Sequence, residues 1–181
     1  MDSDYHDREQ TGAKHFILKN YLESLAYKVL SSWDSLTYID GFSGPWKSRA
    51  PDFSDTSFMI AIKVLKEVQN RLSESGKVKK IQCYFSEKNP KAYKSLAEAI
   101  KGHENNNFEI QTYCGQFEDA IPEIVRFADK RAFKLIFIDP TGWGGYPFTK
   151  ISPLFRDRSC EVLVNFMYDF INRFIHRLRT Y

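Results

Sequence analysis

Leu36-Thr-Tyr-Ile-Asp-Gly-Phe-Ser-Gly44 is a short β-rich apolar run that stops at an acid and passes into a glycine-containing turn. The same shape recurs far along the chain in Lys134-Leu-Ile-Phe-Ile-Asp-Pro-Thr-Gly142. Such a run describes a buried strand that delivers side chains to its C-terminal end, the edge where open parallel α/β sheets bind ligands. Two such ends predict one site built from both, of a kind suited to a nucleotide-like cofactor.

Working outward, the segments on either side alternate between periods of two and 3.6. Residues 1–13 are polar and read as a mobile arm. Over 14–31 the apolar residues Phe16, Ile17, Tyr21, Leu22, Leu25, Ala26, Val29 and Leu30 recur at helical spacing. The first strand covers 36–40, loop chemistry fills 44–56, and a helix follows over 57–73. A second strand spans 81–86, and Asn89-Pro90 opens the next helix as an N-cap with proline at the first helical position. The pattern continues with a strand at 108–113, a helix at 118–130, a strand at 134–138, a short helix at 148–156 and a strand at 161–166. Residues 167–181 read as a helix. Strands alternating with helices imply βαβ crossovers, hence a three-layer α/β/α sandwich around a mostly parallel sheet, in one domain over 14–181.

Composition bounds the function. The hydrophobic share of 43% and the aromatic share of 15% suit a packed core and argue against disorder. A net charge of +3 does not by itself announce a nucleic-acid binder. Cys83, Cys114 and Cys160 are far apart and form no C-x-x-C pair, which fits reduced thiols in a cytoplasmic protein. No apolar run is long enough for a membrane span, and the first residues are too polar for a secretory signal. The four histidines lack metal-ligand spacing, and there is no P-loop and no nucleophile elbow.

The order of motifs resembles the class I S-adenosylmethionine-dependent methyltransferases. These are Asp40-Gly-Phe-Ser-Gly44, Ser86-Glu-Lys-Asn-Pro90, Gly115-Gln-Phe-Glu-Asp119 and Ile138-Asp-Pro140, each after a strand. More narrowly, Lys14-His-Phe-Ile-Leu18, Tyr38-Ile-Asp-Gly-Phe-Ser-Gly-Pro45 and Phe137-Ile-Asp-Pro-Thr-Gly142 resemble the bacterial three-Cys-motif partner proteins over nearly the whole chain. The resemblance implies S-adenosylmethionine as cofactor. A full methyltransferase sheet also has an antiparallel hairpin after its fifth strand, so the domain is expected to be incomplete at its C-terminus.

Each motif has a chemical reading and a plainer one. Gly41 and Gly44 let the backbone turn and approach a ligand, and Asp40 can hold a cationic amino group or stand as a solvated turn acid. With Phe42 and Ser43 they have the shape of the first motif of several nucleic-acid methyltransferases, although Trp46 replaces a usual third glycine. Glu87 can accept both ribose hydroxyls or be an exposed charge beside the Asn89 cap. Gln116 stands where methyltransferases often carry an Asp for the adenine amino group, with Phe117 placed to stack; a simple helix start explains both equally.

Asp139, Pro140, Thr141 and Trp143 resemble the fourth motif of amino-directed methyltransferases, which orients a target amine for in-line displacement. Thr141 replaces a second proline and Trp143 is one position late. The plainer reading is a glycine-rich loop with a buried Asp. Nothing resembling Pro-Cys follows this strand, which disfavours a covalent cysteine mechanism.

Two functions follow. One is a methyltransferase acting on an amino group of a nucleic acid, with Arg156, Arg158, Arg173, His176, Arg177 and Arg179 available for phosphates. The other is a methyltransferase-like protein that binds a companion three-Cys-motif polypeptide with little or no catalysis, the direction in which Trp46, Gln116 and Thr141 depart. A nicotinamide-dependent oxidoreductase lacks its G-x-G-x-x-G.

Overall fold

The structure is a computed structural model that describes residues 3–44, 48–140, 147–156 and 159–165, with side chains from Gly12 onward. In chain order the elements are α1 (Ser3–Ser32), β1 (Ser35–Asp40), α2 (Ser57–Glu74), β2 (Lys80–Glu87) and α3 (Pro90–Ala99). They continue with β3 (Phe108–Cys114), α4 (Phe117–Phe127), β4 (Phe133–Ile138), α5 (Phe148–Ile151), a 3-10 turn (Ser152–Phe155) and β5 (Cys160–Val164). All five strands are parallel, in the order β3-β2-β1-β4-β5. The chain is thus a Rossmann-like three-layer α/β/α sandwich. Among the described residues no helix is long and apolar enough to cross a membrane.

The two faces of the sheet follow from the period of two. Leu36, Tyr38, Ile81, Cys83, Phe85, Leu135 and Phe137 point to one side and pack with Leu18, Leu22 and Leu30 of α1, Phe58, Ile62 and Leu65 of α2, and Leu96 of α3. Ile39, Tyr84, Ile136 and Ile138 point to the other and pack with Phe117, Ala120, Ile121 and Ile124 of α4 and with Ile151 and Leu154. Strands covered on both faces read as the continuous apolar runs seen in the sequence. The helices that wind β1 to β3 lie on one face, and the helix that returns from β3 to β4 lies on the opposite one.

Local chemistry sets the ends. Thr56 caps α2 by accepting from the Met59 N–H, and Asn89 caps α3 by accepting from the Lys91 and Ala92 N–H groups with Pro90 next. Three helix boundaries differ from the sequence reading by more than a residue or two. First, α1 begins at Ser3, so residues 3–13, read as an arm, continue the helix. Second, α4 stops at Phe127 because Ala128 turns extended (φ −64°, ψ 129°) and the Asp129 N–H goes to the Gln82 amide at 2.9 Å. Third, the expected helix over 148–156 is one α-turn followed by the 3-10 turn, where Pro153 has no N–H to continue the α pattern. The helix expected over 167–181 lies outside the described residues.

A 30-residue α1 is about 45 Å long and the six-residue β1 about 20 Å. The helix runs back along the sheet from the foot of β1, so its first half passes beyond the C-terminal strand ends.

Candidate functional site

The connections reverse direction between β1 and β4, and in open α/β sheets the crevice above that reversal holds the ligand. The ends of β1, β2 and β4 bring Asp40, Glu87 and Asp139 to this one edge, since Asp40 pairs with Phe85 and Phe137 in register. The convergence expected from the two quoted runs is present.

The turn after β1 is stapled to β2. The Ser43 N–H donates to Ser86 O (3.0 Å), Ser86 Oγ donates to Gly41 O (3.0 Å), and Ser43 Oγ donates to Asp40 O (2.9 Å). Both serines are fully buried. Asp40 itself is fully buried; Oδ1 accepts from the Phe42 N–H (2.9 Å) and Oδ2 from Ser57 Oγ in the first turn of α2 (2.8 Å). The plainer reading of a solvated turn acid is therefore incorrect. The direct grip on an amino group is also not what these oxygens do here: they tie loop to helix. Burial raises the Asp40 carboxyl to about 6, against the two hydrogen bonds and with help from the charge of Asp139.

Gly41 is required by a close approach, but of a side chain. A Cβ there would sit 2.6 Å from Cγ of Phe117. Phe117 is 2% exposed in the core beneath the turn, with its ring 5.8 Å from that of Phe42. Of the two readings of this residue, stacking at the edge and a simple helix start, the structure has the second: Phe117 is the first residue of the amphipathic α4 and is turned inward. Gln116 remains at the edge as the exposed residue before α4, with no side-chain capping bond. Gly44 is half-buried at the end of the described turn.

Glu87 is 2% exposed, so it is no surface charge beside the cap. Its Oε1 accepts the Asn89 N–H at 2.5 Å, and its carbonyl accepts the Gly115 N–H at 3.0 Å, which joins the β2 and β3 ends. Burial raises its carboxyl above the ordinary value, opposed by that N–H and by Lys88.

Asp139 follows β4 with its side chain 26% exposed, and Pro140 behind it is buried. Its Oδ1 accepts from Lys14 Nζ of α1 at 3.2 Å and from Asn165 Nδ2 just past β5. Asn165 is fixed there because its N–H extends the ladder to Ile138 O (2.9 Å). Thr141, Trp143 and Trp46 lie outside the described residues, as do Arg158, Arg173, His176, Arg177 and Arg179; Arg156 is exposed.

Sequence reasoning missed Lys14 and Asn165 as site residues. His15 is half-buried, and burial lowers it more than the nearby Asp139 and Asp55 raise it. The available signal was position: Lys14 lies one turn before the buried Leu18 on the helix leading into β1. No protein-family model matches the chain, and no curated protein is significantly similar to it.

Proposed function

We propose that this domain binds S-adenosylmethionine at the switch point and transfers its methyl group to an amino group, with a nucleic acid as the substrate class. The observation that carries this reading is the meeting of Asp40, Glu87 and Asp139 on one sheet edge, with Asp40 and Glu87 buried. The missing G-x-G-x-x-G argues against a dinucleotide, and ionised carboxylates in so little water attract a ligand with a cationic end. The donor set therefore fits S-adenosylmethionine, which when bound supplies an electrophilic methyl group on a positively charged sulfur.

In this reading the turn over residues 40–44 faces the methionine end, held in shape by Asp40 and Ser86. Glu87 accepts from the ribose hydroxyls, and Gln116 pairs with the adenine edge. Asp139 accepts an N–H of the acceptor amine and orients its lone pair, so its contribution is positioning. The exposed Arg156 is available to a phosphate in this reading.

One observation favours a second reading. Both oxygens of Asp40 and Oδ1 of Asp139 are already bonded within the protein, the arrangement of an interaction module that keeps a methyltransferase shape without its chemistry. Transfer of a tritiated methyl group to mixed DNA, RNA and protein separates the two. At saturating cofactor the enzyme reading expects label on nucleic acid with wild type and none with Asp139→Ala, whose task belongs to the transition state. No label on any pool, from protein that binds the cofactor, supports the companion-binding reading.

A further inference from the structure

The Lys14 ammonium is the group at the switch point that the proposed chemistry leaves unused. It comes from α1, 125 residues from its partner, and donates to Asp139 Oδ1 at 3.2 Å. Its side chain is 33% exposed, so it is partly shielded from water. The helix is fixed at this level by Leu18, 1% exposed, and by the fully buried Leu22, one and two turns on. The adjacent His15 is pushed towards its neutral form by burial, and among the described side chains of α1 it is Lys14 that bonds Asp139.

We propose that Lys14 is the resident cation of the switch-point site and sets how strongly the site prefers a positively charged ligand to its neutral counterpart. This rests on the reading of the site as one for S-adenosylmethionine. A positive charge placed beside Asp139 is attracted by the carboxylate and repelled by the ammonium already there. With Lys14 in place the two fields largely cancel, and the sulfonium gains little over the thioether of S-adenosylhomocysteine. Without Lys14 the carboxylate acts alone and the sulfonium form is favoured.

Calorimetric titration of the full chain with S-adenosylmethionine and with S-adenosylhomocysteine tests this in wild type, Lys14→Met and Lys14→Arg. Lys14→Met raises the ratio of the thioether Kd to the sulfonium Kd by about two- to fivefold, the scale of one partly screened ion pair. Lys14→Arg keeps the wild-type ratio, and Asp139→Asn alone, which leaves the ammonium unopposed, lowers it. If Lys14→Met does not fold, Lys14→Gln removes the same charge and is read the same way. An unchanged ratio with both ligands bound overturns the inference while leaving the cofactor reading intact. Failure of folded wild type to bind either ligand overturns the cofactor reading, and this inference with it.

Discussion

Gly41 shows how one missing Cβ sets the geometry of the site. The turn after β1 lies directly on the Phe117 ring, whose nearest atom, Cγ, cannot swing away as a side-chain tip would. Gly41→Ala should therefore cost about 1–3 kcal/mol by overpacking. Adding Phe117→Leu should recover part of that loss, because the two positions share one contact; urea denaturation of the single and double variants reads both. If Gly41→Ala is as stable as wild type, the close packing is not there. Asp40 supplies the second residue-scale test. Its carboxyl is raised to about 6, so the folded state holds the proton more tightly than the unfolded chain does. That contribution, at most about 3 kcal/mol, is fully present below 3.8 and is lost as the pH rises through about 6. Asp40→Asn can keep both bonds, accepting from the Phe42 N–H and donating to Ser57 Oγ, but cannot titrate. Its stability should fall less than that of wild type across this interval; parallel pH profiles would refute the assignment. The sequence placed Asp40 and Glu87 at the edge correctly because strand ends are local. It could not show Lys14 or Asn165 on Asp139, since that meeting depends on how α1 and β5 pack.

At the scale of the elements, the far end of the sheet is joined by the buried amide of Gln82. Its Oε1 accepts from Thr37 Oγ1 (3.1 Å) and the Asp129 N–H (2.9 Å), and its Nε2 donates to Glu109 Oε2 (2.9 Å) and Phe127 O (3.1 Å). Those four bonds link β1, β2, β3 and the end of α4 and use the full capacity of one amide. Gln82→Leu keeps the volume but strands several buried partners, so it should cost about 2–4 kcal/mol. A loss well below that, read from the urea midpoint at unchanged slope, would mean that water replaces the amide. The strands and α2 and α3 were legible because apolar runs, the Thr56 cap and Asn89-Pro90 are local signals. The end of α4 was not legible, because the bond that draws Asp129 out of the helix comes from Gln82, 47 residues away. Phe117 was left between two readings for a related reason: its position fits both a stacking edge residue and a helix start, and only α4 packing across the sheet decides between them.

For the whole molecule, the order β3-β2-β1-β4-β5 makes one edge of the sheet the place where chemistry collects. Three acids from β1, β2 and β4 meet there, and α1 crosses the same edge to bring a lysine to one of them. The central claim is that this edge, and no other surface, takes S-adenosylmethionine. Hydrogen–deuterium exchange with and without saturating cofactor, followed by peptide mass spectrometry, tests the claim and its location together. Exchange should slow in the turn at 40–44, around Glu87 and Asn89 and at 114–117, while the outer face of α2 is unchanged, and Glu87→Ala should weaken the effect at equal cofactor concentration. No slowing anywhere, or slowing confined to segments away from these strand ends, would contradict the account.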